Sequence, residues 1–276
     1  TLDDALTLRA GFERSPRRVV VIGAGFIGLE VAASAVHLGL QVTVIEPMAA
    51  PVVRGVGAQL GSMVADMHRA HGVDLRLGVG VEALVGVDRV ESVHLTDSTV
   101  IEADVVVVGV GATPVTDWLA DSGLSVRDGI VCDATLMAAP GVFAAGDVAR
   151  WPHGQLGSEV RIEHWTNAAE TGVIAAENLL AWSVDGERRV AGDVPFFWSD
   201  QYQGRIQVLG RAGPDDTVHV VRGPDHAGKV LALYSSGDQL TAAFGYSLPK
   251  PLMSFRPLLA RRATLTEALE HAATLP

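Results

Sequence analysis

Cysteine is almost missing from this chain, and Cys132 is the single example in 276 residues. One thiol can form neither an intrachain disulfide nor a CxxC pair, so these residues encode no disulfide-stapled secreted scaffold and no dithiol redox site. The expected role of Cys132 is that of a small buried apolar side chain. Basic residues are also few. There are 21 Lys and Arg against 32 Asp and Glu, and the formal charge of −11 argues against a nucleic-acid partner, which would favour a basic face. No apolar run approaches the ~18 residues of a membrane span. The opening TLDDALTLRAGFER has early acids and lacks the basic region and apolar stretch of a secretory signal. A soluble, cytoplasmic protein is therefore expected. No metal-ligand cluster, acid–base triad, repeat or low-complexity tract stands out, and the length suggests about two domains.

What is present centres on RVVVIGAGFIGLEVAASAVHLGLQVTVIE, from Arg18 to Glu46. Arg18 to Ile22 reads as a buried strand. Gly23, Gly25 and Gly28 then form G-x-G-x-x-G where a helix should open at Phe26 and Ile27. In this spacing Gly23 permits the tight turn, Gly25 leaves room for a pyrophosphate, and Gly28 lets the helix pack closely on the strand. The phosphates would meet the positive helix N-terminus. The helix should run to Leu38 with Gly39 as C-cap, and a second strand from Gln41 should end in Glu46, where a ribose-binding carboxylate belongs. A ligand-free doubly wound unit is the competing structural reading.

The flanking segments divide by pattern. Thr1 to Phe12 reads as a short helix with a Thr1/Asp4 capping box and Leu2, Leu6 and Ala10 at helical spacing. Leu60, Val64, Met67 and His71 predict the buried face of another helix, closed by Gly72. Val73 to Leu77 reads as a strand, Val81 to Val100 as an antiparallel insert, and Asp104 to Val108 as a strand covered on both faces. The following GVGATP, with Gly109 and Gly111, suits either a close backbone approach to a ligand or a plain crossover. A short helix and a hairpin are expected over Asp117 to Asp133. Val142 to Ala145 predicts a buried strand that carries Gly146 and Asp147 at its end. Asp147 either accepts hydrogen bonds from sugar or polyol hydroxyls or caps the next turn. Glu163, His164 and Trp165 precede a helix expected over Asn167 to Trp182 with Thr166 or Asn167 as N-cap. They could hold an electronegative ligand edge there or be ordinary surface residues, and Trp165 could be core. From Phe196 the chain turns to strands with a hairpin at Gly237-Asp238, and Pro249 to Pro276 reads as one or two helices.

In this order the motifs resemble the ferredoxin reductase branch of the FAD-dependent pyridine nucleotide oxidoreductases. VVVIGAGFIGLEVAA resembles the NAD fingerprint of that family, GVGATP its return crossover, GVFAAGDVA its second FAD motif, and FFWSDQYQGRIQVLG the opening of its C-terminal domain. The resemblance covers nearly the whole chain. It implies an α/β fold with a Rossmann-like doubly wound NAD domain at 15–113 after a lead-in helix at 1–14. A partial FAD-domain segment would follow at 114–192 and an α+β reductase domain at 193–276.

The same resemblance implies NAD and FAD as cofactors and, as partner, a ferredoxin-type iron–sulfur protein supplying an oxygenase. It further implies that Asp147 bonds the ribityl chain of FAD and that Glu30 and Trp165 flank the nicotinamide–flavin stack. His164 would lie beside the flavin, with Trp198 and Tyr202 near the redox face and the docking side. Family members open with a second G-x-G-x-x-G that is missing here, so the chain looks like such a reductase without the first half of its FAD domain. These residues alone are then expected to bind NAD and not to hold FAD stoichiometrically. A cysteine pair in that half is not excluded by the single Cys132, although the C-terminal motif argues against it. A non-catalytic NAD-binding or interaction module is the alternative function.

Overall fold

The computed structural model describes residues 1–14, 16–226 and 228–275, which group into two compact units. The first unit comprises Thr1–Gly111 and Ser199–Ile206, and the second Ala112–Trp198 and Gln207–Pro276.

The first unit opens with α1 (Leu2–Glu13), where the Thr1/Asp4 capping box forms as expected. None of its residues is buried, and Leu2 and Leu6 point to solvent. Then follow β1 (Arg18–Ile22), α2 (Phe26–His37), β2 (Gln41–Glu46), α3 (Val53–Ala70), β3 (Asp74–Leu77), β4 (Val81–Val85), β5 (Ser92–Leu95), β6 (Val100–Glu102) and β7 (Val105–Val108). The parallel sheet has the order β3-β2-β1-β7, with Ile22 facing Ile45 on one side and Val108 on the other. This places the ends of the two central strands beside the glycine turn. The insert β4-β5-β6 is antiparallel, as its alternating pattern predicts, and packs through Val93, Leu95 and Ala103 against Val20 and Ile45.

Two expectations fail in this unit. β7 lies at the end of the sheet order, half-buried and with Val108 exposed, instead of covered on both faces. On α3 the buried face passes through Val56, Leu60, Val64 and His68, while His71 is exposed. At 3.6 residues per turn His71 falls back within about 20° of Leu60, but α3 ends at Ala70 and His71 is its C-cap, past the packed part of the helix.

The second unit continues with β8 (Ile130–Val131), β9 (Met137–Ala139), β10 (Val142–Phe143), β11 (Ala149–His153), β12 (Ser158–Val160) and α4 (Trp165–Ser183). Its core gathers Trp151, Leu136, Ile174, Val160 and Cys132. Burial pushes the Cys132 thiol up to about 11, as the expected role of an inert packed side chain requires. β10 has only two residues and pairs antiparallel with β9, so Asp147 does not end a buried parallel strand. Instead Gly146–Val148 forms a single turn of 3₁₀ helix. α4 opens two residues earlier than expected, with His164 as N-cap. Thr166 and Asn167 are otherwise engaged, their side chains donating to the carbonyls of Phe196 and Ile162.

The remaining strands are β13 (Phe196–Gln201), β14 (Gly204–Gly210), β15 (Thr217–Arg222), β16 (Val230–Ser236) and β17 (Gln239–Tyr246), in a sheet of order β13-β14-β17-β16-β15. The Gly237-Asp238 hairpin joins the last two, with Ser236 facing Gln239. Three short helices follow where one or two were expected: α5 (Pro249–Met253), α6 (Arg256–Ala260) and α7 (Leu265–Ala273). A second capping box, Thr264 with Glu267, starts the last of them.

Candidate functional site

In the first unit the β1–α2 turn is built by close backbone contacts that only glycine permits. Gly23 has φ +99°, and a Cβ there would lie 2.4 Å from the Gly109 carbonyl oxygen. At Gly28 a Cβ would lie 2.1 Å from the Gly23 carbonyl oxygen. The Gly109 N–H in turn donates to the Ile22 carbonyl at 2.8 Å. The fingerprint and the start of GVGATP are thus one structure, and the close approach made by Gly109 is to the chain's own turn. Gly111, at φ +130°, faces open space.

A Cβ on Gly25 would meet no heavy atom within 4 Å. This notch sits where α2 begins, and no side chain of Gly25 can cap that helix start. The Phe26 ring lies over Gly55 of α3, close enough that a Cβ there would be 2.7 Å from Phe26 Cε2, while Ile27 is exposed. Glu46 reaches across from the end of β2. Its Oε2 accepts from the Ala24 N–H at 2.8 Å and its Oε1 from the Met48 N–H at 3.0 Å. A carboxylate has about four acceptor positions, so two remain for hydroxyl donors. The open notch, the uncapped helix start and the half-used carboxylate fit the pyrophosphate and ribose of a dinucleotide.

Glu30, one turn into α2, accepts a 2.6 Å hydrogen bond from the buried Ser199 hydroxyl. Ser199, Gln201 and His68 were not anticipated as site residues. Their sequence signals were faint: the period-two spacing of 199 and 201 on β13, and the four-residue step that leads to His68.

The second unit assembles the other expected group around the start of α4. His164 is its N-cap and provides no side-chain cap. The ring packs at 4.5 Å from Phe197, and its buried Nδ1 has no hydrogen-bond partner. Burial and the cationic Arg211 push its pKa down to about 4, so the imidazole is neutral at pH 7. Trp165 is exposed and meets Trp198 edge-on at 6.0 Å. Glu163 is paired with Arg161 at 2.5 Å. Gly146, at φ +72°, donates its N–H to Thr171 Oγ1 at 2.9 Å, and Asp147 is exposed. The orphaned His164 nitrogen, the uncapped helix start and the open carboxylate fit the polyol and ring end of a flavin. Among the described residues no group of three or more His, Cys, Asp or Glu could hold a metal ion, and no helix is long and apolar enough to cross a membrane.

The first unit is therefore a doubly wound fold with the glycine turn and acidic strand end of dinucleotide-binding proteins. Residues 1–172 match the model for pyridine nucleotide-disulphide oxidoreductases, and the chain belongs to that family. Residues 196–273 match the reductase C-terminal model. The chain is 37% identical over 250 residues to rhodocoxin reductase of Rhodococcus erythropolis, covering 90% of this chain and 57% of that protein. It is also 37% identical to the ferredoxin–NAD(+) reductase component of the anthranilate 1,2-dioxygenase system of Burkholderia cepacia, covering 95% of this chain and 64% of the relative. The chain thus spans about three fifths of the length of these curated relatives. Among solved structures, the ferredoxin reductase for the CYP199A2 system of Rhodopseudomonas palustris aligns with a TM-score of 0.88 and 31% identity over 99% of this chain and 69% of that one. The reductase in a covalent putidaredoxin reductase–putidaredoxin complex aligns with a TM-score of 0.80 and 31% identity, over 89% of this chain and 58% of that one.

Proposed function

We propose that this chain carries the NADH site and part of the flavin site of a reductase that passes electrons from NADH to a ferredoxin-type iron–sulfur protein serving an oxygenase. The observation that carries this reading is the Glu46 carboxylate hydrogen-bonded into the glycine turn at Ala24, beside the open notch at Gly25. The reductases it resembles add the electron acceptor to the argument. When bound, FAD takes a hydride as an electron pair and can release it in single-electron steps.

The residues of the chain divide the remaining work. Gly23, Gly25 and Gly28 bring the start of α2, with Phe26 and Ile27, up to the pyrophosphate, and Gly109 and Gly111 border the same turn. Glu46 accepts from the adenosine ribose. Glu30 faces the nicotinamide. Gly146 and Asp147 hold the ribityl hydroxyls. The positive end of α4 would favour negative charge on the flavin, His164, neutral there, would supply no proton, and Glu163, Trp165 and Trp198 would border the ring. The test is NADH-driven reduction of a ferredoxin by a full-length protein that contains these residues and holds FAD. Failure to reduce any one-electron acceptor while FAD and NADH both bind would reject the reading.

Two expected results follow from these roles. In a full-length protein that holds FAD, Glu30→Ala should slow flavin reduction in stopped flow by about tenfold or more while leaving ADP-ribose affinity within about twofold; an unchanged reduction rate removes Glu30 from the site. Glu46 should favour NADH over NADPH, because a 2′-phosphate would place like charges together. At ~4 Å this repulsion is ~1 kcal/mol in water and ~4 kcal/mol at an effective dielectric of ~20, per unit charge pair. A preference of at least about tenfold in Kd is expected, and it should collapse in Glu46→Ala. Equal dissociation constants for the two nucleotides in the unmodified protein would defeat the assignment.

A further inference from the structure

Within the first unit, Glu30 terminates a chain of side-chain hydrogen bonds that the glycine turn does not need. Ser199 Oγ donates to Glu30 Oε1 at 2.6 Å, and Gln201 Nε2 donates to Ser199 Oγ at 3.0 Å. Gln201 Oε1 lies 2.9 Å from His68 Nε2, and His68 Nδ1 lies 2.8 Å from the Tyr202 hydroxyl. Ser199, Gln201 and His68 are each no more than 1% exposed.

The donor and acceptor inventory leaves one self-consistent direction for this chain. A carboxylate only accepts, so the single hydroxyl proton of Ser199 is committed to Glu30. With that proton spent, Ser199 must accept, and the Gln201 amide is turned with its NH₂ toward Ser199 and its oxygen toward His68. His68 must then carry its proton on Nε2, which makes Nδ1 the acceptor of the Tyr202 O–H. Burial lowers the His68 pKa and keeps the ring neutral, as this tautomer needs. Every donor in the chain therefore points toward Glu30.

Tyr202 fixes the far end. It sits at φ +56° in the two-residue turn between β13 and β14, a conformation that favours glycine, and its ring stacks on His71 at 3.6 Å and 11°. The stack on His71 and the hydrogen bond to His68 hold the ring at this position.

We infer that Tyr202, His68, Gln201 and Ser199 form a positioning relay that holds the Glu30 carboxylate in one orientation toward the nicotinamide. The inference rests on the reading that Glu30 faces that ring. None of the four touches the nucleotide in this reading, and the relay acts by leaving Ser199 a single acceptor. Without the Tyr202 hydroxyl, His68 is free to move its proton to Nδ1. Its Nε2 lone pair would then oppose the Gln201 oxygen, the amide would turn, and Ser199 would lose the donor that fixes its own proton.

The test reads nucleotide binding to the 276-residue chain by calorimetry, without turnover. The nicotinamide of NAD+ is cationic and that of NADH neutral, so a carboxylate facing the ring raises the affinity for NAD+ relative to NADH. ADP-ribose, which lacks the ring, reports the rest of the site. Glu30→Gln should lower the NAD+ to NADH affinity ratio at least threefold with ADP-ribose affinity unchanged. Ser199→Ala should give most of that loss, and His68→Leu and Tyr202→Phe a part of it. His68→Leu combined with Ser199→Ala should equal Ser199→Ala alone, because His68 acts only through Ser199.

If Glu30→Gln lowers the ratio while Ser199→Ala and Tyr202→Phe keep the unmodified value, the relay is rejected and the placement of Glu30 stands. Additive losses in the double variant also reject it. An unchanged ratio in Glu30→Gln rejects the placement of Glu30 and the relay with it. Should His68→Leu lose ADP-ribose affinity through misfolding, Tyr202→Phe, which removes one hydroxyl, decides the outcome with Ser199→Ala.

Discussion

Gly28→Ala should raise the Kd for NAD at least about a hundredfold and lower the thermal midpoint as well. Alanine is the better helix former by about 1 kcal/mol, so helix propensity alone would favour the substitution. The contact decides against it. The new Cβ would lie 2.1 Å from the Gly23 carbonyl oxygen, with Val21 Cγ1 at 3.3 Å behind it. Neither the Gly23 backbone nor α2 can yield without opening the β1–α2 turn, because Gly23 also touches Gly109 and its N–H is held by Ile45 at 2.8 Å. A hundredfold loss corresponds to about 2.8 kcal/mol.

Gly25→Ala is the informative companion. Its Cβ meets no protein atom, so the fold and melting temperature should survive while the methyl fills the pyrophosphate space. Titration calorimetry alongside thermal unfolding separates the two effects. Tight NAD binding by a stable Gly25→Ala protein would show that the notch is not the phosphate site.

The second large effect is on acid stability. His164 has a pKa of about 4 in the folded protein against an ordinary 6.5, chiefly because it is buried, with the Arg211 charge adding to the effect. Between these values the unfolded chain binds a proton that the folded chain does not. The contribution of the neutral ring to stability is complete above about pH 6.5, declines as the pH falls, and is lost by about pH 4. A pKa difference of this size corresponds to about 3 kcal/mol. His68 and His153, also lowered by burial, act in the same direction, so the histidine under test must be isolated by substitution. His164→Phe keeps an aromatic ring against Phe197 and should gain up to about 3 kcal/mol on the unmodified protein at pH 4 relative to pH 7. Denaturant unfolding across that range checks it, with the His164 imidazole followed by NMR. A stability difference independent of pH would show that this ring is not buried neutral.

The glycine turn was legible in the sequence because its constraints are local. Gly23, Gly25 and Gly28 lie within six residues, between a strand and a helix whose periods are plain, and Glu46 follows one helix and one strand later. Capping boxes are equally local, and α1 formed where Thr1 and Asp4 predict it. Boundaries that depended on rival local signals came out less well. Thr166 and Asn167 are good caps in isolation, yet both side chains are taken by carbonyls of Phe196 and Ile162, and α4 begins at Trp165. Val142 to Ala145 is apolar enough for a buried strand, but its pairing partner is the adjacent β9, so the strand stops after two residues.

By itself, then, the sequence determined the doubly wound unit, the dinucleotide turn and the family, since each depends on residue types at short, fixed spacing. Only the tertiary structure decided which polar side chains meet. Glu30 and Ser199 are 169 positions apart, and His68 and Tyr202 are 134 apart. Their pairing depends on how a strand end and two helix faces are brought together in one unit. Periodicity can say which face a residue shares, but it carries no information on what that face meets.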